Sequence, residues 1–428
     1  MIKIMKYGEV PNSEIFARSY DTGEIDKTVS EIIADVRANG DAALRKYTEK
    51  FDGAALDSFL VSEAEIDAAV EAVGPELLRV FERAAANIRK FHEKQLRNNF
   101  MISEDGVVMG QRVLPIERVG LYVPGGTASL PSAVLMDSVP AKIAGVPQLV
   151  MVTPPDRNGN IAPVILAAAR VAGVDRIYKI GGAQAVAALA YGTESVPKVD
   201  KIVGPGSAYV AIAKKQVFGV VAIDMVAGPS EVLIVADAKS DPHVLAADML
   251  AQAEHDVLAT AVLVTDSDAL ALAVQAEIEA QLPKLAREKI ARTSIENNGK
   301  IIVAEDIKLA IEIANEIAPE HFELCVDEPF AWMDSVKNAG SLFLGRNTPE
   351  ALGDYMAGPN HTLPTLGTAR FSSPLSVDDF VKKMQFSCFS KDALAGLADD
   401  IAMFAVSEGL TAHARSALVR FGKEDSIQ

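Results

Sequence analysis

Apolar residues recur at helical spacing through residues 29–50 and 62–97, which are rich in Ala, Glu, Arg and Leu. A 3.6-residue period built from good helix formers predicts long amphipathic helices there. From Val119 the texture changes. Short β-branched runs at 149–153, 177–180, 201–203, 232–236, 261–265 and 300–303 each lead into a helix-like stretch. Strands that are apolar at consecutive positions are buried on both faces, and their alternation with helices marks βαβ units carrying a parallel sheet. A break at 224–229 separates two such series. After Pro374 the strand pattern stops, and 377–420 reads as helices with turn signals around Ser390 and Gly409.

The expected fold class is therefore α/β, with two Rossmann-like parallel-sheet domains, an N-terminal helical segment and a C-terminal helical tail. The boundaries are 1–118 for the helical segment joining the first α/β domain, 119–229 for that domain, 230–374 for the second and 375–428 for the tail. A short helical tail cannot bury its apolar face alone, so it is expected to pack elsewhere, on a partner chain.

Composition narrows the function classes. A length of 428 residues with 49% hydrophobic content suits a multidomain globular protein, and a net charge of −17 argues against a nucleic-acid binder, which needs clustered Lys and Arg. The only two cysteines, Cys325 and Cys388, stand far apart and form no C-x-x-C pair, so neither a disulfide scaffold nor a cysteine zinc cluster is expected. The opening residues carry no long apolar stretch. The expectation is a cytoplasmic protein with reduced thiols, no signal peptide, no membrane span and no nucleic-acid partner.

Three glycine turns follow expected strands in the first α/β domain: Tyr122-Val-Pro-Gly125-Gly126, Gly181-Gly-Ala-Gln184 and Gly204-Pro-Gly206. None matches G-x-G-x-x-G, yet three in succession suit a dinucleotide, and the second opens a helix whose free N–H groups favour an anion. In the second domain Glu320-His321 places a carboxylate beside an imidazole in a chain with six histidines, offering two proton acceptors of different strength. Gln252 and His255, three residues apart in a helical pattern, would share a face. With Asp354 and His413 they make up an amide oxygen, a carboxylate and two imidazoles, a set suited to Zn²⁺ or a neighbouring divalent metal. His92 and His243 are expected to be solvated, and His361 is open to either reading.

At these residues the chain resembles the histidinol dehydrogenase family. The resemblance runs from about Arg112 to Arg420 through six ordered motifs: Val-Gly-Leu-Tyr-Val-Pro-Gly-Gly126, Ile223-Asp-Met-Val-Ala-Gly-Pro-Ser-Glu231, Gln252-Ala-Glu-His-Asp256, Pro-Glu-His-Phe-Glu323, Gly-Thr-Ala-Arg-Phe-Ser-Ser373 and Glu408-Gly-Leu-x-x-His413. It implies an NAD-linked, zinc-dependent oxidation of L-histidinol through L-histidinaldehyde to L-histidine, with one zinc per subunit. By the same resemblance Gln252, His255, Asp354 and His413 match the zinc ligands, and Glu320 and His321 the catalytic acceptors. Ser230, Glu408, His321 and the metal-site residues match substrate contacts; Tyr122, Gln184 and Ser207 fall at the NAD contacts. Ser207 stands where the family usually has asparagine, and Pro374 where glycine is more usual. The family's homodimer, whose tail reaches the neighbour's site, agrees with the orphan tail. The alternative is a paralogous zinc-dependent NAD dehydrogenase acting on another small polar alcohol.

Overall fold

The apolar runs become strands, and their alternating residues divide between the two faces of each sheet. The protein, a computed structural model, is described over residues 1–16, 23–125 and 129–423; Gly126 of the first glycine turn lies outside them. In chain order, β1 (Lys3–Lys6) is followed by β2 (Phe100–Glu104) and β3 (Val107–Pro115). A first series comprises β4 (Arg118–Tyr122), β5 (Gln148–Thr153), β6 (Arg176–Lys179), β7 (Lys201–Val203) and β8 (Ala222–Ile223). A second comprises β9 (Glu231–Ala236), β10 (Thr260–Thr265), β11 (Lys300–Val303), β12 (His321–Cys325) and β13 (Ser341–Leu344), before a final β14 (Val381–Phe389).

The chain divides into two compact units, one of Met1–Leu96 with Ile116–Phe380, the other of Arg97–Pro115 with everything from Val381 onward. The first unit holds both parallel sheets. One is ordered β6-β5-β4-β7-β8 and the other β1-β11-β10-β9-β12-β13. In the former, Val150, Val152 and Ile202 belong to one core and Val119, Leu121, Met151 and Val203 to the other. In the latter, Val232, Ile234 and Leu263 face one way while Leu233, Val235 and Phe322 face the other. Helices cover both faces, as strands buried on two sides require.

The expected N-terminal helices are Gly23–Asp52 and Glu63–His92. Ser62 caps the second in a reciprocal capping box with Glu65, and Gly74, at φ 78°, kinks it ahead of Pro75. The expected helical segment 1–118 also holds three strands, β1, β2 and β3, of which β1 has no periodic signal of its own. β1 is four residues of Lys-Ile-Met-Lys that pair in parallel with β11, Lys3 opposite Lys300. His92 is fully buried, with Nδ1 2.7 Å from Gln95 Oε1, because it falls on the packed face of its helix; the expectation of a solvated side chain is corrected. His243 is exposed beside Glu277, as expected.

The second unit departs from the helical reading. Its sheet, β14-β3-β2, is antiparallel, with Val381 opposite Pro115 and Phe389 opposite Val107. Thus 381–389 is a strand, and helices begin only at Lys391–Ala395, followed by Ala398–Ser407 and Thr411–Leu418. The physical reason lies in the period: Met384, Phe386 and Cys388 alternate with Lys383, Gln385 and Ser387, a two-residue repeat that a nine-residue partner strand can satisfy. Both cysteines are free, Cys325 buried and Cys388 exposed.

Candidate functional site

Two groups of predicted residues come together in the first unit, each at one sheet. In the β6-β5-β4-β7-β8 sheet, connections leave β4 in opposite directions, so β4 and β7 flank a switch point where a crevice opens beyond the strand C-termini. Tyr122 ends β4 and is buried; its hydroxyl accepts from Gly182 N at 3.0 Å. Gly182 opens the helix Gly182–Tyr191, and Gln184 on its first turn is buried with no hydrogen-bond partner for Oε1 among the described residues. Tyr122 and Gln184 are thereby neighbours across Gly182. Burial raises the Tyr122 phenol to about 12, so it stays a neutral donor. A cleft of about 750 Å³ opens beside Pro124 and Gly125, with Thr153, Pro154 and Asn160 in its wall.

The third turn is locked from below. Gly204 has φ 112°, and a Cβ there would sit 2.2 Å from the Tyr122 carbonyl, so only glycine lets the turns after β4 and β7 approach. Its N–H donates to Asp224 Oδ2 at 2.8 Å, its carbonyl accepts from Lys214 Nζ at 2.8 Å, and Lys214 and Asp224 form a buried ion pair. Ser207, exposed, is the N-cap of Ala208–Val217 and its hydroxyl makes no capping bond, which leaves a donor and an acceptor available. Because removing one partner strands the other charge, Asp224→Ala is expected to destabilise the protein by about 3–5 kcal/mol. Urea unfolding compared with the Asp224→Ala/Lys214→Met double variant checks this: the double variant should recover part of the loss.

The second group lies at the N-terminal ends of β9 and β12. Glu320 precedes β12 and His321 begins it, while Ser230 precedes β9 and gives its carbonyl to Thr260 N at 3.0 Å. Glu320 Oε2 accepts from Glu231 N at 2.8 Å. Burial raises the Glu320 carboxyl well above its ordinary range against that hydrogen bond, with the charges of Glu231 and Asp354 adding to the rise. His321 Nδ1 lies 3.0 Å from the Glu231 carbonyl, which can only accept. Nδ1 therefore carries the proton and Nε2 keeps its lone pair. Nε2 is buried, has no hydrogen-bond partner among the described residues, and lies 4.0 Å from Asp354 Oδ1. Burial lowers the ring to about 4, so the imidazole is neutral and available as a base near pH 7.

Around these acceptors stands a set of donors suited to a metal. His255, Glu350 and Asp354 each bring a ligand atom within 4.8 Å of the others. Gln252 is fully buried at the end of the helix Pro242–Ala253, and one end of its amide lies 2.9 and 3.1 Å from the two Glu350 oxygens; two acceptors cannot pair, so hydrogen bonding assigns the nitrogen to that end. The helix stops before His255, which sits in the following turn; the bond from His255 N to Gln252 O, 3.2 Å, keeps the two close where a helical face was expected to do so. Glu350 is raised well above the usual range by burial, then by the charges of Asp354, Glu323 and Glu320. Burial acts likewise on Asp354, but the hydrogen bond and charge of His361, with His321 and His255, outweigh it and hold the carboxyl low. Such crowding of buried carboxylates beside an imidazole and an amide oxygen fits a divalent cation.

Glu350 is not among the site residues expected from the sequence. Its signal was the spacing Glu350-x-x-x-Asp354, which puts both carboxylates on one face of the helix Glu350–Tyr355. His361, left open by the sequence, lies with Nδ1 3.4 Å from Asp354 Oδ1. Asn360 Nδ2 to Met136 O, 2.7 Å, and Thr362 Oγ1 to Asp137 Oδ1, 2.9 Å, hold the loop that carries it. His321, Phe343, Asp354 and His361 share a cavity of about 140 Å³. Glu408 and His413 belong to the second unit, where both are exposed. Glu408 caps Ala398–Ser407, and Gly409, at φ 74°, turns the chain into Thr411–Leu418, where the sequence carries a turn signal.

A family model described as histidinol dehydrogenase matches residues 17–421. The histidinol dehydrogenase of Geobacillus kaustophilus (strain HTA426) is 52% identical over 422 residues, spanning 98% of this chain and 100% of the relative. That of Clostridium acetobutylicum is 51% identical over 427 residues, with 98% and 99% covered. Among solved structures, histidinol dehydrogenase from Elizabethkingia anophelis aligns with a TM-score of 0.90 at 40% identity, over 98% of each chain.

Proposed function

This chain belongs to the histidinol dehydrogenase family of oxidoreductases, enzymes of histidine biosynthesis, and from that premise we propose a zinc-dependent, NAD-linked oxidation of L-histidinol through L-histidinaldehyde to L-histidine. The observation that carries the chemistry is the buried lone pair of His321 Nε2, held by the bond from Nδ1 to the Glu231 carbonyl. His321 takes the alcohol proton in the first oxidation and that of the aldehyde hydrate in the second. Glu320 takes a proton from water as it adds to the aldehyde; a carboxylate whose proton affinity is raised by burial is a stronger base than one in solvent.

Gln252, His255 and Asp354, with His413, are the residues that would hold one zinc per subunit. When bound, zinc supplies a fixed positive charge that grips the substrate's nitrogens, and NAD⁺ accepts the hydride in each oxidation. Ser230, Glu408 and His321 join the metal-site residues in positioning histidinol. Tyr122, Gln184 and Ser207 are the cofactor contacts, supported by their gathering around the turns at the β4/β7 crevice. A homodimer with shared sites is supported by the second unit, whose Met403, Phe404, Leu410 and Val419 are exposed apolar residues on a short helical segment. A cytoplasmic location fits a biosynthetic enzyme; among the described residues no helix is long and apolar enough to cross a membrane.

The test counts product. Two NADH should form per histidinol consumed, with histidine the end product; a ratio of one would overturn the two-step reading. In calorimetry, chelated protein should lose histidinol affinity by about 10-fold or more and keep its NAD⁺ affinity, since the metal's task is to hold substrate.

A further inference from the structure

Glu350 occupies a place that the proposed reaction does not yet use. It is 3% exposed, both of its oxygens lie within hydrogen-bond distance of one end of the Gln252 amide, and its own N–H donates to Glu323 Oε1 at 2.7 Å. An amide has one donor end and one acceptor end, so a carboxylate that takes the nitrogen leaves the oxygen as the only end free to meet a cation. The remaining neighbour of the Gln252 nitrogen, His321 Nδ1 at 3.3 Å, is farther and is itself a donor to the Glu231 carbonyl. We infer that Glu350 is a positioning residue for the metal centre, clamping the amide of Gln252 so that Oε1 rather than the nitrogen faces the ion.

This inference rests on the zinc reading of Gln252, His255 and Asp354. It explains how glutamine, a weak and rotatable donor, serves as a ligand: its orientation is set by a hydrogen-bonded carboxylate, the role that outer-shell groups play for metal-bound imidazoles. The same residue anchors a second ligand. Glu350 begins the helix Glu350–Tyr355, and Glu323 holds its first N–H, so one pinned turn sets the clamp on Gln252 and the position of Asp354 four residues on.

Zinc affinity, measured on the metal-free full-length protein by competition with a chromogenic chelator, tests the clamp without reference to turnover. Glu350→Gln should weaken zinc binding about 10–100-fold. Glu350→Asp, which keeps the charge but withdraws the acceptor oxygens, should also weaken it. The deciding comparison is made in a Gln252→Ala background, where Glu350→Gln should cause no further loss because the clamp has nothing left to orient. Equal losses in both backgrounds would show Glu350 acting on the ion independently of Gln252 and would overturn the inference, as would unchanged affinity in Glu350→Gln and Glu350→Asp. Thermal melts of the metal-free variants separate misfolding from weakened binding. If the parent protein takes up no zinc, the zinc reading itself fails and the inference with it; uptake by the parent with unaltered variants overturns the clamp alone.

Discussion

Glu320→Gln is expected to separate the two oxidations. Alcohol oxidation needs a base for the hydroxyl proton, and His321 Nε2, neutral and buried, is placed for that whether or not residue 320 is ionisable. Aldehyde oxidation first needs water to add to the carbonyl, and an amide cannot accept the proton released. The aldehyde step should therefore fall by about 10²–10⁴-fold while the alcohol step keeps most of its rate. Glutamine is nearly isosteric and can still accept from Glu231 N through its oxygen, so the fold around β12 should persist. Single-turnover NADH formation, started separately from histidinol and from histidinaldehyde, gives the answer. Equal losses on the two substrates would remove Glu320 from the role of water activator. In the same assay His321→Asn should slow both steps, because both hydride departures depend on the same proton acceptor.

The second large effect is a recovery of activity. If His413 and Glu408 complete the site of a neighbouring chain, Glu320→Gln and His413→Asn fall in different chains of the same site. Each variant alone should be inactive in the complete conversion of histidinol to histidine. Co-expressed with distinct tags, they form a heterodimer in which one site carries both lesions and the other neither, and that site should restore histidine formation. Were His413 to serve its own chain, each site would keep one lesion and the purified heterodimer would stay inactive. The second unit makes the arrangement physically reasonable: its helices Ala398–Ser407 and Thr411–Leu418 bury a small set of residues, Ala398, Ala402, Ala405, Ala414, Ala417 and Leu418. That leaves large apolar side chains such as Met403 and Phe404 exposed.

What the sequence by itself determined was whatever depends on neighbours along the chain. Consecutive apolar runs such as Val232–Ala236 within β9 can only be buried on both faces, so the parallel sheets and their covering helices were legible from hydrophobic pattern. Glu320 and His321 are joined by one peptide bond, and the glycine turns follow their strands directly, so the candidate chemistry and the family's ordered motifs were equally legible. Only the tertiary structure decided what depends on pairing across distance. Strand β14 is a strand because β3, from a remote part of the chain, offers it a ladder, and β1 is one because β11 does. His255 keeps its place near Gln252 through a turn where sequence pattern extends the helix. His321 keeps its lone pair at Nε2 because the carbonyl of Glu231 claims Nδ1, and the amide of Gln252 meets Glu350, a residue no motif singled out. Proton placement and amide orientation are set by hydrogen-bond partners, and those partners come from β9, β12 and two separate helices, which no local periodicity brings together.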